Sequence, residues 1–418
     1  MTRARPHVVV LHRWRDRYAD YAAYLDHTAY DVSYVTTAIA RESVPDQAAG
    51  VELVAATDDL AEISAAVAVL AARLGPPRHL VALNEGDLDA AAALRGALGC
   101  GGQDSAALTR FRDKLTMAET VAAAGLPVPP FADAPDTASV RAFAARHGWP
   151  VVVKPRRGVA SRDVLVLRSP ADLARLDDTP VEPRLVQAFV ADPILHVDGV
   201  WTGTGLGPWR ASRYVNTCLD FTFGAHLGSV EVDDPELLGP LEEFTAGAGA
   251  ALGGGEPWVF HLEAFAGAGP AGEPRIVFLE AGARVGGAEI PFVWREVHGF
   301  DLMAAAVDIQ LGRAPAVRPL PRGATGGWLL LPVPVSTPCR VAGSGLAPPA
   351  GDGAEAVEHV DGLYAQVVPP VGAVIPKAGG YEHVGARFRF RGASSRDVEA
   401  AIAKTAASFR LWCEPVPG

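Results

Sequence analysis

Short apolar runs alternate with amphipathic stretches through the first hundred residues. HVVVL (7–11), YDVSYVTT (30–37) and HLVALNEG (79–86) read as strands, a helix candidate follows the first, and DDLAEISAAVAVLAARL (58–74) repeats apolar residues at helical spacing. Strands that alternate with helices predict βαβ units and a parallel sheet, whose ligands lie beyond the carboxyl ends of the strands. Asn84-Glu85-Gly86-Asp87 occupies such an end, ahead of the helix LDAAAALRGALG. Asp87 either caps that helix or takes part in chemistry.

Farther along, a helix is predicted over about 106–124, closed by Gly125 and Pro127. PVPPFADAPD reads as a loop and SVRAFAARHG as a helix. The run VVVKP (151–155) is a buried strand that carries one lysine. A basic loop, RRGVASRD, then leads to a strand in VLVLR, and RLVQAFV (184–190) is a further strand leading to HVDGVWTGTG. WVFHLEAF (258–265) and RIVFLEAGAR (275–284) are strands joined by the hairpin loop AGAGPAGEP. The patch TAGAGAALGGG (245–255) has the look of low complexity, with a helix ending in its first half. Pro and Gly are dense from 314 to 353, followed by short strands in LYAQVV, AVI and ARFRFRG and a helix at about 395–408. These textures divide the chain into 1–105, 106–320 and a C-terminal lobe, 321–418, with no internal repeat.

A length of 418 residues agrees with two or three domains. With 49% hydrophobic and 20% charged residues the chain is that of a folded enzyme. The net charge of -11 repels phosphate backbones and anionic lipid, which argues against nucleic-acid and membrane partners. An anion site in such a chain has to be built locally, from lysines, arginines, backbone N–H groups and metal ions. Cys100, Cys218, Cys339 and Cys413 are too widely spaced for a zinc or disulfide signature, and the opening apolar run is too short for a signal peptide. A cytoplasmic protein is expected.

Four elements carry candidate chemistry. Arg112-Asp113-Lys114 opens a helix, either as a solvated N-terminus or as part of a site. Lys154 ends three consecutive valines, so its ammonium must reach water, lose its proton or meet an anion. Gly158 and Ser161 in the following loop would let N–H groups and a hydroxyl approach phosphates. Glu263 and Glu280 end strands judged adjacent and antiparallel; facing carboxylates repel unless a cation such as Mg²⁺ lies between them. Arg284 follows in EAGARVGG, where a guanidinium can grip phosphoryl or acyl oxygens and the glycines permit close approach.

In this order, RDKLTMAETVAAAGLPVPPF (112–131), VVVKPRRGVASRDV (151–164), LVQAFVADPILHVDG (185–199), and FHLEAF with VFLEAGARVGG (260–287) resemble the ATP-grasp superfamily, in particular its amino-acid ligases and biotin-carboxylase-like enzymes. The resemblance covers about 85–315 and rests on the ordered set. It implies mixed α/β and α+β architecture: an N-terminal parallel-sheet domain, a central ATP-grasp domain of two subdomains and a C-terminal α+β lobe. It also implies ATP with Mg²⁺, or Mn²⁺ in its place. Lys114 and Lys154 would meet ATP phosphates, 158–163 would cover them, and Gln187, Phe189 and Val190 would line the adenine. Glu263 and Glu280 would hold Mg²⁺ and Arg284 would stabilise an acyl phosphate. His196, Asp198 and Arg213 would shape the ribose or acceptor side, and His261 would stand behind Glu263. The chain departs from the family pattern in three places: Gln187 where a glutamate is usual, Gly282 for an asparagine, and Asp163 for a glycine. A carboxylate at 163 requires pairing with Arg156, Arg157 or Arg162.

The implied activity is ligation of a small-molecule carboxylate to an amine through an acyl phosphate, with release of ADP and phosphate and with an amino acid as one substrate. Carboxylation with bicarbonate, phosphotransfer to a hydroxyl and silent nucleotide binding are the alternatives. A homodimer is the default assembly.

Overall fold

The computed structural model describes residues 5–14, 18–158, 161–178, 180–315, 317–321, 323–346, 359–376 and 384–416. Its first layer is a four-stranded parallel sheet in the order Gly50–Val54, Asp31–Thr37, His7–His12, Pro77–Ala82. Gly50–Val54 is an edge strand that the sequence pattern did not reveal, since GVELV carries only a weak alternation. The chain reverses its direction of winding between His7–His12 and Pro77–Ala82, and such a switch point opens a crevice at the carboxyl ends of the strands. Helices Leu60–Leu74 and Leu88–Leu98 pack on this sheet. Asp87 does not cap the second of them. It is fully buried, pairs with Arg13 and accepts from Thr57 at 2.9 Å, and burial raises its pKa to about 6 against the pull of Arg13.

The helix predicted over 106–124 is two helices, Ser105–Arg112 and Lys114–Ala123. Asp113 breaks them apart: its backbone is extended, and its carboxylate caps the second helix by accepting from Leu115 N at 3.0 Å and Thr116 N at 3.2 Å. Arg156 completes the shell around this carboxylate at 2.7 Å.

A small antiparallel sheet follows, in the order Phe131–Asp133, Arg184–Ala188, Val151–Pro155, Leu165–Leu167. Helix Thr137–His147 covers its apolar side through Val140, Phe143 and Ala144.

The largest layer is an eight-stranded antiparallel sheet in the order Pro274–Gly282, Trp258–Ala268, Ile194–Trp201, Leu206–Tyr214, Leu227–Glu231, Thr325–Leu331, Ala386–Gly392, Leu363–Val367. The last three strands come from the region read as a C-terminal lobe, so that region extends the same sheet. A third antiparallel sheet, Val374–Ile375, Cys339–Leu346, Phe409–Pro415, lies beyond it. The Ala/Gly-rich patch at 245–255 is largely helical, because Pro235–Gly253 runs as one helix with Leu241, Phe244, Ala248 and Leu252 in the core. Among the described residues no helix is long and apolar enough to cross a membrane.

Candidate active site

The two faces of the eight-stranded sheet differ in kind. Leu195, Val197, Phe260, Leu262 and Ala264 point into the main apolar core. Their neighbours on the other face, related by the period of two, are polar: His196, Asp198, His261 and Glu263. Register places Glu263 beside His196, and His261 beside Asp198, on neighbouring strands.

Glu263 also stands directly opposite Glu280 on the outer strand. A bulge produces this pairing. Ala264 lies opposite Phe278, and continuing that register would bring Leu279, not Glu280, to Glu263. The extra residue at Leu279 re-aims the strand and sets the two carboxylates side by side.

Each carboxylate is half engaged. Glu263 Oε1 accepts from the Tyr214 hydroxyl at 2.7 Å and lies 3.6 Å from His261 Nε2. Glu280 Oε2 is 3.4 Å from Lys114 Nζ. Within the described residues Glu263 Oε2 and Glu280 Oε1 accept no hydrogen bond. Two neighbouring carboxylates, each with an oxygen to spare, are the donor set a hard divalent cation takes. Burial opposes ionisation of Glu280, but Lys114 and Lys154 outweigh it and hold the group well below the usual carboxylate range.

Lys154 comes from the small antiparallel sheet, on strand Val151–Pro155. Its side chain is buried, at 5% relative exposure, and has neither a hydrogen bond nor an ion pair within the described residues. Burial lowers its pKa to about 8, with Lys114 pushing the same way and Glu280 and Glu263 opposing. A buried ammonium with no hydrogen bond is costly, and an anion beside it would offset that cost. Lys114 is tied to the loop after Lys154: its Nζ donates to the Gly158 carbonyl at 3.0 Å and its backbone N to the Arg156 carbonyl at 2.9 Å. Triphosphate oxygens therefore fit the lysines, and Mg²⁺ fits the carboxylates.

The Lys154 shift has a measurable consequence. Between pH 8 and 10.5 the unfolded chain binds more protons at this lysine, so the nucleotide-free protein gains stability as pH rises through that window. An anion that restores the charge must bring a proton with it. ADP binding near pH 8.5 is thus expected to take up protons, visible as calorimetric heats that vary with buffer ionisation enthalpy; buffer-independent heats would remove Lys154 from the nucleotide site.

A cleft lined by Glu85, Arg112, Lys114, His261, Glu280, Gly282 and Arg284 adjoins them, reaching Lys114 and Glu280. Arg284 lies against the bare backbone of Gly282, where an added Cβ would come within 3.4 Å of its Cγ and Nε. Its guanidinium is held by Glu85, with Nε at 2.8 Å.

The remaining candidates are placed as follows. Gln187 is buried on strand Arg184–Ala188, and Phe189 and Val190 follow it, with Phe189 exposed. Ser161 and Asp163 both have left-handed backbone, φ 56° and 57°, which suits glycine and, among other residues, aspartate. The carboxylate of Asp163 has no ion pair among the described residues: Arg156 is held by Asp113 and Arg157 by Asp89. Val159 and Ala160, within the predicted phosphate loop, lie outside the described residues. His196 does not line the cleft. It is buried with Nδ1 2.6 Å from Asp198 and Nε2 2.6 Å from Ser229 Oγ. Arg213 faces away, paired with Glu399 of helix Ser395–Ser408. Asp198 also holds His261 Nδ1 at 2.8 Å. Burial opposes the charge on both, yet their attraction raises His261 to about 9 and holds Asp198 far below the ordinary range.

Glu85, Tyr214 and Ser229 were not singled out from the sequence. The signal for the last two is the alternation in SRY and GSVE, which continues the polar face begun by HVDG and FHLE.

No protein-family model matches the chain. An uncharacterized protein, y4rH, of Sinorhizobium fredii is 36% identical over 77 residues, which are 18% of this chain and span only 16% of that relative. Among solved structures, an L-amino acid ligase from Bacillus licheniformis superposes with a TM-score of 0.69 at 16% identity, covering 98% of this chain and 99% of that one. The chain has the ATP-grasp fold. Two other structures with the ATP-grasp fold agree. Phosphoribosylglycinamide synthetase from Anaerococcus prevotii gives 0.66 at 11% identity over 98% of this chain and 99% of that chain. The biotin carboxylase domain of Hydrogenobacter thermophilus 2-oxoglutarate carboxylase, in complex with MgADP, ADP and bicarbonate, gives 0.65 at 14% identity over 97% and 90%.

Proposed function

We propose that the protein is an ATP-dependent carboxylate–amine ligase that works through an acyl phosphate, with an amino acid as one substrate. The observation that carries this reading is the buried ammonium of Lys154, with no hydrogen bond or ion pair among the described residues, set beside Lys114 and the Glu263–Glu280 pair. The L-amino acid ligase and the MgADP-bound carboxylase domain among the fold's neighbours support it.

In this reading Lys114 and Lys154 hold phosphate charge, the 158–163 loop covers it, and Gln187, Phe189 and Val190 line the adenine. Glu263 and Glu280 hold Mg²⁺. Bound Mg·ATP supplies the phosphoryl group that activates the carboxylate. The protein needs little covalent chemistry of its own: its lysines and Arg284 bear the charge that develops on the transferred group and on the acyl oxygens. The loop keeps water from the activated acyl group. We assign the N-terminal domain to 1–105, the ATP-grasp domain to 106–320 and the C-terminal lobe to 321–418.

The test supplies Mg·ATP, a panel of amino acids and other carboxylates, and hydroxylamine as a small amine. ADP, phosphate and a hydroxamate are expected. AMP and pyrophosphate would defeat the proposal, a stable phosphate ester would point to phosphotransfer, and absence of turnover across the panel would point to silent nucleotide binding.

A further inference from the structure

The turn Asn84-Glu85-Gly86-Asp87 closes strand Pro77–Ala82 at the switch point of the parallel sheet. Asn84 accepts from Gly86 N at 2.9 Å and Asp87 is buried on Arg13 and Thr57. Glu85 reaches the cleft. Its oxygens are divided between two arginines: Oε1 accepts from Arg112 Nη1 at 2.6 Å, and Oε2 from Arg284 Nε at 2.8 Å, with Arg284 Nη2 also 2.8 Å away. Burial opposes ionisation of Glu85, but Arg284 and Arg112 prevail and keep it ionised. Arg284 Nη1 is occupied as well, donating to the Val285 carbonyl at 3.1 Å.

Arg284 arrives on the chain two residues after strand Pro274–Gly282, while its holder comes from a separate sheet 199 residues earlier. The ion pairs continue past Glu85. Arg112 Nε donates to Asp89 Oδ2 at 3.0 Å, and Asp89 Oδ1 accepts from Arg157 Nη1 at 2.9 Å, on the loop that follows Lys154. A long, flexible guanidinium is thereby restricted to one direction before any substrate enters, which is how a charged donor avoids reorganising during reaction.

We infer that Glu85 is a positioning residue for acyl transfer, holding the Arg284 guanidinium in its working orientation in the cleft. The step it serves rests on the ligase reading above; the clamp itself rests on the geometry alone.

Two measurements separate these. In arginine-labelled protein the Arg284 Nε–H resonance, assigned by its loss in Arg284→Lys, should exchange slowly in the native chain and broaden or vanish in Glu85→Ala. An unchanged resonance in Glu85→Ala would overturn the clamp, whatever the activity. In the hydroxamate assay Glu85→Ala should lower kcat on the order of 100-fold while the affinity for ADP stays unchanged, and Glu85→Asp should recover part of the loss. The double variant Glu85→Ala/Arg284→Ala should be no slower than Arg284→Ala; full multiplication of the two losses would show that Glu85 acts apart from Arg284 and would sink the inference. Should Glu85→Ala fail to fold, Glu85→Leu, of similar size and with no acceptor for Arg284, carries both measurements, with the same outcomes deciding. If the native chain turns over nothing, the ligase reading fails while the resonance still decides the clamp.

Discussion

Alanine at either Glu263 or Glu280 is expected to abolish Mg²⁺-dependent turnover, a loss on the order of 10³-fold, in a protein that stays folded. The two carboxylates are cross-strand partners, each with an oxygen that no described group engages. With Mg²⁺ held by this pair as proposed, removing one would leave the ion with half of those ligands, next to phosphates that would still need neutralising. The variants should differ in stability. Glu280 is 3.4 Å from Lys114 and, with Glu263, offsets the charge of Lys154, so Glu280→Ala leaves Lys114 without its ion-pair partner and Lys154 with less compensating charge, and should lower the melting temperature. Repulsion between facing carboxylates, expected from the sequence, is overridden at Glu280 by these lysines. Product formation against Mg²⁺ concentration, alongside thermal melts, checks both points. A full rate in chelator or in either single variant would remove the pair from the site.

Lys154→Met is expected to weaken ADP binding by roughly 100-fold, the worth of a charge-assisted contact in a buried site, and to raise the melting temperature of the nucleotide-free protein. The methionine keeps the apolar stem against the valine strand and deletes an ammonium that has no partner within the described residues. Loss of affinity and gain of stability thus go together, a pattern that a structural lysine cannot give. Unchanged affinity with a collapsed melting temperature would return Lys154 to a structural role. Calorimetric titration with ADP and a thermal scan of the same samples suffice.

Several strands and the charges they carry were legible because the pattern behind them is local. Three valines before Lys154 announce a buried strand with a stranded charge, and the strand Val151–Pro155 is found there. The apolar runs that end at Glu263 and Glu280 announce strand-borne carboxylates. Helix Ser395–Ser408 coincides with its predicted span. Other elements were not legible. The helix opening read at Arg112-Asp113-Lys114 is found at Lys114, capped by Asp113, but the contact of that carboxylate with Arg156, 43 residues away, was not visible along the chain. Asp87 has the sequence position of a cap, yet Arg13, 74 residues earlier, draws it into the core.

By itself, then, the sequence determined that Lys154, Glu263 and Glu280 carry charge out of apolar strands, since that follows from runs of a few residues and the period of the backbone. Only the tertiary structure decided which of those charges meet. The bulge at Leu279 turns Glu280 toward Glu263. Glu85 crosses from the parallel sheet to hold Arg284. Asp198 holds His261 from the neighbouring strand. Each of these depends on register or on contact between distant segments. Register is set by the whole sheet, where a one-residue slip exchanges its faces, and a pattern read along one strand carries no trace of it.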